Sequence, residues 1–424
     1  MTYAETLKHI YALGRFGIKP GLARISKLLG ALGNPQDAFA AVHVVGTNGK
    51  GSTASCLSSI LGAGGYRTGL FTSPHLISFT ERIRIDGSEI DESTVTRLAN
   101  RVMAAAPQES TFFEIITAMA ALHFAEEGVA IAVFEAGMGG RLDATNAFNG
   151  LLCVVTPISL DHTDYLGQDI AEITGEKVGI CKRGTPIVSA RQHPDAARVI
   201  ARRAGELGSP LYMCGEGFAA TLQEGKLRYR GLSVALGSMS AGLPGRYQSG
   251  NVALALAAAE LLSGTGFAVS PQALTAGVEQ ARWPGRMELF AGQPRVLLDG
   301  AHNPAGAAAL AEALADIPRD RLLMVVGVMG DKELSGILSP LLPLADRFFA
   351  VAPAIERALP ALELAAFCRK SGADAQEAGT VAQGIALARA AAGVDDLVLV
   401  CGSLFTVGEA RSILLSRRFE PFRG

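Results

Sequence analysis

The sequence predicts an α/β protein of two domains: a larger one with a mostly parallel sheet and a phosphate-binding loop, then a smaller Rossmann-like one. Three observations predict it. From residue 42 onward, short apolar runs alternate with Ala- and Leu-rich amphipathic stretches, the pattern of parallel strands separated by helices. A glycine-rich loop joins one such run to one such stretch. The alternation starts afresh after a Gly- and Pro-bearing segment at 283–294. Composition agrees. With 424 residues, 49% hydrophobic and 18% charged, the chain has material for sizeable cores and is not a disordered protein. Glycine numbers 49, well above a typical share of about 7%, without the period of collagen. Length alone, at ~150 residues per domain, suggests about three domains. The pattern reduces this to two, 1–288 and 289–424.

The runs at 42–45, 129–134 and 151–157 read as strands of the first domain. Those at 295–298, 322–328, 347–350 and 396–400 read as strands of the second. Glu81-Arg-Ile-Arg-Ile followed by Asp86-Gly87 signals a hairpin. Residues 218–237 alternate around Glu224-Gly225 and Gly231, which signals a small antiparallel element. Residues 283–294 read as a linker, with the boundary near Glu288 and Trp283, the only tryptophan, packed at the hinge. Phe112 and Phe113 are assigned to the core.

Lys and Arg total 38 against 40 Asp and Glu, a net charge of −2. The densest basic clusters are pairs such as Lys182-Arg183, so neither nucleic acid nor an anionic membrane is expected as partner. Six cysteines without a C-x-x-C spacing read as buried, reduced thiols. No run approaches the ~20 apolar residues of a membrane span, and the first residues lack a signal-peptide pattern. A soluble, cytoplasmic protein is expected.

The run ending at Val45 leads into Gly46-Thr47-Asn48-Gly49-Lys50-Gly51-Ser52-Thr53, and a helix-compatible stretch follows at 54–62. Strand, glycine-rich loop and helix together form a phosphate cradle. Glycines let backbone N–H groups curl round an anion, at the positive end of the helix. Lys50 supplies a point charge, and Ser52 or Thr53 offers a hydroxyl to Mg²⁺. Val44 stands where the usual motif has its first Gly, and Gly51 intervenes before Ser52. That spacing points away from small kinases and switch GTPases. It points instead toward a different P-loop class.

A second constellation follows. The strand ending near Phe134 delivers Glu135, followed by Ala-Gly-Met-Gly-Gly-Arg141-Leu-Asp143-Ala-Thr145-Asn146. A carboxylate at the carboxyl end of a parallel strand is placed to hold Mg²⁺ against phosphates. The next strand leads to Leu160-Asp161-His162-Thr163, which sets His162 at the same edge as a ligand or acid–base candidate. Lys177, in Glu176-Lys177-Val-Gly179-Ile, is by composition a solvated helix residue.

These segments, with Thr72-Ser-Pro-His-Leu76, Asp299-Gly-Ala-His-Asn-Pro304 and Gly402-Ser-Leu404, resemble folylpolyglutamate synthase/dihydrofolate synthase, a family of the ATP-dependent Mur ligase superfamily. The resemblance covers nearly the whole chain. It implies an amide ligase that uses ATP and Mg²⁺ to add L-glutamate to folates, and to dihydropteroate in bifunctional members, through an acyl phosphate. Thr47, Asn48, Gly49, Lys50, Gly51 and Ser52 would cradle the nucleotide, with Asn251, Arg286 and Asp299 also contacting it. Ser52, Glu135, His162 and a carbamylated Lys177 would hold Mg²⁺. Lys50, His162, Lys177, Asp299 and His302 form the implied catalytic set. Ser73, Arg82, His302 and Ser403 are implied on the substrate side. From the residues alone, Asn303 is the better helix cap beside His302. The family prior also implies a monomer.

Three alternatives stay open at this level. One is a monofunctional folylpolyglutamate synthase, and another is a Mur-type ligase acting on a cell-wall nucleotide precursor. From a different class, the chain could be a P-loop protein that makes no amide bond, whether a phosphotransferase, a switch protein or a non-catalytic ATP-binding module. Turnover with parallel acceptors and glutamate-dependent ADP release separate them.

Overall fold

The apolar runs become two parallel sheets in the computed structural model, which describes residues 1–16 and 20–420. The first sheet has eight strands in the order Ser88–Glu89, Ile83–Ile85, Thr68–Phe71, Ile131–Glu135, Ala40–Val45, Gly150–Val155, Ile187–Ser189 and Leu211–Met213. The last six are parallel, and the first two form an antiparallel hairpin on one edge. The expected hairpin is therefore present, although Glu81 and Arg82 sit in a 3₁₀ turn, Phe79–Arg82, just before it.

Alternate side chains of one strand feed opposite cores, as a period of two requires. Val42 and Val44 pack with the helices Lys50–Ala63, Gln248–Ser263 and Pro271–Gln280. Ala41, Phe71 and Phe134 pack with Glu92–Ala105 and Phe112–Glu126. Phe134 centres an aromatic group, with the Phe148 ring centroid 4.6 Å away. Truncation there would cost about 3–5 kcal/mol. A three-stranded antiparallel sheet, Ala219–Gln223, Lys226–Arg230 and Ala235–Ser240, covers one flank. Glu260 ties it to the helix beneath by accepting from Tyr229 Oη at 2.6 Å and Ser233 N at 2.6 Å.

The second main sheet has six strands, in the order Glu288–Phe290, Arg295–Leu298, Leu397–Cys401, Leu322–Val326, Arg347–Ala352 and Ala375–Thr380. All neighbours are parallel except the first pair. The segment at 283–294 is thus not wholly a linker. Its residues 288–290 pair antiparallel with 296–298 and complete the sheet. Two apolar layers again take alternate residues: Leu297, Met324 and Val326 on one face, Val296, Leu298 and Val325 on the other. No described helix is long and apolar enough to cross a membrane.

Candidate active site

The phosphate loop is shaped by close packing. Gly46 has φ +148°, and a Cβ there would stand 2.0 Å from Thr156 Oγ1. Gly49 has φ +85° and caps the following helix, which begins at Lys50, earlier than the apolar pattern suggested. Both positions require glycine. The neighbouring strand holds the loop from below. Thr47 N and Asn48 N donate to Pro157 O at 3.0 and 3.2 Å, and Thr47 Oγ1 donates to Ser159 O at 3.1 Å. Lys50 Nζ folds back to Thr47 O at 3.0 Å. The curled N–H groups and helix N-terminus form an anion cradle.

Lys177 is not the solvated residue its composition suggested. It is 3% exposed, and its Nζ donates to Gly46 O at 2.9 Å, directly behind the loop. The segment after Glu135 puts it there. Asp143 accepts from Gly137 N, Met138 N and Thr145 N, which folds that segment tightly. Arg141 N then donates to Glu176 O at 2.7 Å, and a Cβ on Gly140 would stand 2.1 Å from Lys177 O. Burial, with the Lys50 charge, pushes the Lys177 amine down to about 7.

Glu135 is buried and accepts from Ser73 N at 3.2 Å. Burial pushes its carboxyl up, while the charges of Lys50, Arg286 and Arg82 pull the other way. Ser52 is buried and accepts from Gln248 Nε2 at 3.3 Å. Gln248 Oε1 in turn accepts from Asn251 Nδ2 at 2.8 Å. A Cβ on Gly49 would stand 2.3 Å from Asn251 Oδ1, so Asn251 borders the loop. Gln248 was missed in the sequence. Its only signal is the three-residue step to Asn251 on one helix face.

His162 sits at φ +52° with its side chain 46% exposed. Burial of the ring lowers its pKa, against the opposing pull of Asp161. Asp161, also missed, pairs with Lys332 of the second domain at 2.9 Å. Although burial opposes it, His162 and Lys332 hold the Asp161 carboxyl well below the usual range.

The second domain brings Asp299 and Gly300-Ala301-His302-Asn303 to the same place. Asp299 accepts from Tyr247 Oη at 2.8 Å, Met287 N at 3.0 Å and Ala301 N at 2.9 Å. Burial raises its pKa against the Arg286 charge. Arg286 Nη1 donates to Gly285 O at 3.1 Å, and a Cβ on Gly300 would stand 1.9 Å from that Nη1. His302 Nδ1 lies 2.8 Å from Gly300 O. A carbonyl only accepts, so Nδ1 carries the hydrogen and Nε2 holds a lone pair. Burial pushes this ring down to about 4, so it is neutral. Asn303 caps the helix Pro304–Leu314 through Gly306 N, as its position suggested. It also exchanges two amide hydrogen bonds with Asn48, at 2.9 and 3.1 Å.

Between the domains a narrow cavity of about 50 Å³ is lined by Gly51, Ser73, Arg84, Glu135, Trp283 and Arg286, among others. Of the substrate-side residues, Ser73 is on its wall. Arg82 is not. It is 1% exposed, donates to His75 Nδ1 at 2.9 Å and stacks over Phe112. Arg84 lines the cavity instead, over the Trp283 ring at 5.7 Å. Arg82 ends the 3₁₀ turn and Arg84 lies in the strand Ile83–Ile85, so the two arginines point to different places although they are two residues apart. Ser403 caps the helix Leu404–Leu414, receiving Thr406 N at 3.0 Å.

Fold and site define an ATP-dependent ligase of the Mur type. Residues 44–259 match the Mur ligase middle domain and residues 285–404 match the Mur ligase glutamate ligase domain. A dihydrofolate synthase/folylpolyglutamate synthase of Bacillus subtilis is 35% identical over 97% of this chain and 99% of its own length. A probable bifunctional folylpolyglutamate synthase/dihydropteroate synthase of Halobacterium salinarum is 38% identical over 97% of this chain. The chain spans only 52% of that longer relative. The solved structure of Escherichia coli FolC in complex with DHPP and ADP superposes with a TM-score of 0.91 at 33% identity, covering 98% of both chains. The chain belongs to the folylpolyglutamate synthase/dihydrofolate synthase family.

Proposed function

We propose that this protein uses ATP to join L-glutamate to folate-type carboxylates, accepting both reduced folate and dihydropteroate. The observation that carries this reading is the convergence of Lys50, Lys177 and Glu135 on a phosphate cradle whose open side adjoins the cavity bearing Ser73. The relatives support the choice of acceptor. One is named for both activities, and a solved structure holds DHPP with ADP. The chain spans about half of the Halobacterium protein, and the dihydropteroate synthase activity in that relative's name is no part of this reading.

A carboxylate is a poor electrophile. Transfer of the ATP γ-phosphoryl group makes it an acyl phosphate. The glutamate amine attacks its carbonyl, and phosphate leaves with the C–O bond. Thr47, Asn48, Gly49, Gly51 and Ser52 would bind and orient the triphosphate, with Lys50 neutralising charge as it develops. Asn251, Arg286 and Asp299 would complete the nucleotide site. Mg²⁺ fits the donor set of Ser52 hydroxyl, Glu135 carboxylate, His162 imidazole and an oxygen borne by Lys177. Among the described residues no three His, Cys, Asp or Glu side chains converge, so phosphate oxygens and water would supply other ligands. When bound, the ion would offset phosphate charge.

Lys177 would carry a carbamate. An amine pushed to about 7 has a large neutral fraction near that pH, and a neutral amine adds CO₂, releasing one proton. The carbamate replaces a charge that would repel Mg²⁺ with carboxylate-like oxygens. The lone pair on His302 Nε2 would receive an N–H of the incoming glutamate, with Ser403 shaping that side. The domains, 1–288 and 289–424, would exclude water from the acyl phosphate when drawn together. A cytoplasmic monomer is the expected form.

The test is turnover with ATP, Mg²⁺ and L-glutamate, with dihydropteroate and tetrahydrofolate in parallel. ADP release that requires glutamate with both acceptors is the expected result. Turnover with tetrahydrofolate alone would reduce the reading to a monofunctional folylpolyglutamate synthase. ADP release independent of glutamate would overturn it.

A further inference from the structure

The chain beyond the last helix leaves the C-terminal domain and lies on the N-terminal one. Glu420 is the point of contact. Its backbone N donates to Ile77 O at 2.9 Å. Its carboxylate Oε2 accepts from Ser78 Oγ at 3.0 Å, Phe79 N at 3.0 Å and Tyr3 Oη at 3.1 Å. Its carbonyl lies 3.1 Å from His75 Nε2. The preceding helix presses on the same loop. A Cβ on Gly408 would stand 2.2 Å from Leu76 O and 3.3 Å from the Phe419 ring. All these partners except Tyr3 and Phe419 belong to residues 73–82, the loop whose Ser73 N reaches Glu135.

The contact at His75 fixes more than position. Arg82 Nε–H donates into His75 Nδ1 at 2.9 Å, so Nδ1 must hold a lone pair and Nε2 the hydrogen. Only a carbonyl or similar acceptor can face that hydrogen, and Glu420 O is there. Glu420, His75 and Arg82 therefore form one directed chain from the C-terminal segment to a buried guanidinium, whose charge acts on Glu135. His75 and Arg82 are buried and Glu420 is half-buried; in the buried part, partial satisfaction is costly and full satisfaction rigidifies.

We propose that Glu420 is a positioning residue. Through Ser78, Phe79 and His75 it straps the 73–82 loop in the arrangement that receives the acceptor substrate, and it does so from the other domain. The loop is then set only when the domains are together. This rests on the folate-ligase reading for the identity of the acceptor, but the strap itself does not. It differs from links on the nucleotide side such as Asn48 with Asn303 and Asp161 with Lys332, which touch the phosphate loop and its neighbour.

Two measurements on the full chain test it. In E420A, amide hydrogen exchange of residues 76–79 should quicken about tenfold or more, while residues 404–414 keep their protection. With tetrahydrofolate as acceptor, its KM should rise about five- to tenfold, with the KM for ATP within twofold of the original. E420Q keeps a carbonyl acceptor and should recover most of the loss. S78A should shift the same KM in the same direction and add little on top of E420A. Unchanged exchange in the loop, or ATP and acceptor KM rising together with a lowered melting temperature, would overturn the strap. If the unaltered protein turns over no folate acceptor, the functional reading fails, and the exchange measurement still decides the strap.

Discussion

The carboxyl edges of the two parallel sheets meet at one cleft and are furnished in opposite ways. On the N-terminal edge, the charged groups are held close to one another against electrostatic cost. Burial, with the Lys50 charge, pushes the Lys177 amine down to about 7, and Glu135 is buried near Lys50. On the C-terminal edge, the polar side chains are largely consumed by the backbone. Asp299 accepts three hydrogen bonds, and Asn303 and Ser403 each cap a helix. The difference teaches that a polar residue type at a sheet edge says little by itself. A charge held against cost is poised for a ligand, whereas a charge already satisfied is shaping the wall around it.

Variants can break this contrast. The largest effect is expected at the first edge. K50A should lower kcat/KM by about a thousandfold with little change in melting temperature, measured by glutamate-dependent ADP release and thermal unfolding. Turnover near that of the unaltered protein would break the assignment of the phosphate loop. K177A should be nearly as severe, with partial recovery by acetate, which can stand in for carbamate oxygens; full activity would remove the carbamate. Lys177 also makes a stability prediction. Its folded value of about 7 lies below the ordinary 10.5. Between those values the unfolded chain binds a proton that the folded chain does not, so stability rises with pH across that window. Below about pH 7 the penalty is present in full. In CO₂-free buffer, denaturation midpoints should rise less steeply over that window in K177M than in the unaltered protein.

At the second edge the expected effects are on stability first. D299A leaves Tyr247 Oη, Met287 N and Ala301 N without their acceptor and should cost about 3 kcal/mol or more by denaturant titration. S403A removes one cap and should cost about 1 kcal/mol, with kcat/KM changed no more than a few-fold. A thousandfold loss of activity in S403A at unchanged stability would erase the contrast by making Ser403 a direct substrate contact.

Much of this was legible in the sequence because it depends on local pattern. Continuous apolar runs mark parallel strands, and Gly46 and Gly49 mark a loop that no residue with a Cβ could make. Three things were not legible. The strand Glu288–Phe290 is three residues long and pairs only after the chain reverses, so no periodicity builds up. Lys177 is charged on an amphipathic helix, and only the packing of Gly140 and Arg141 against that helix buries it. Glu420 and Lys332 reach the other domain across 341 and 171 positions, a relation that no local spacing encodes.

One packing detail gives the protein a built-in optical reporter. Its sole indole, Trp283, lies so close to Gly51 that a Cβ there would be 2.6 Å from the ring, and the Arg84 guanidinium sits over its face. Filling the phosphate loop with a polyanion would change the field at that ring. Nucleotide occupancy should therefore be readable from the emission of a single tryptophan excited apart from the seven tyrosines, without a label.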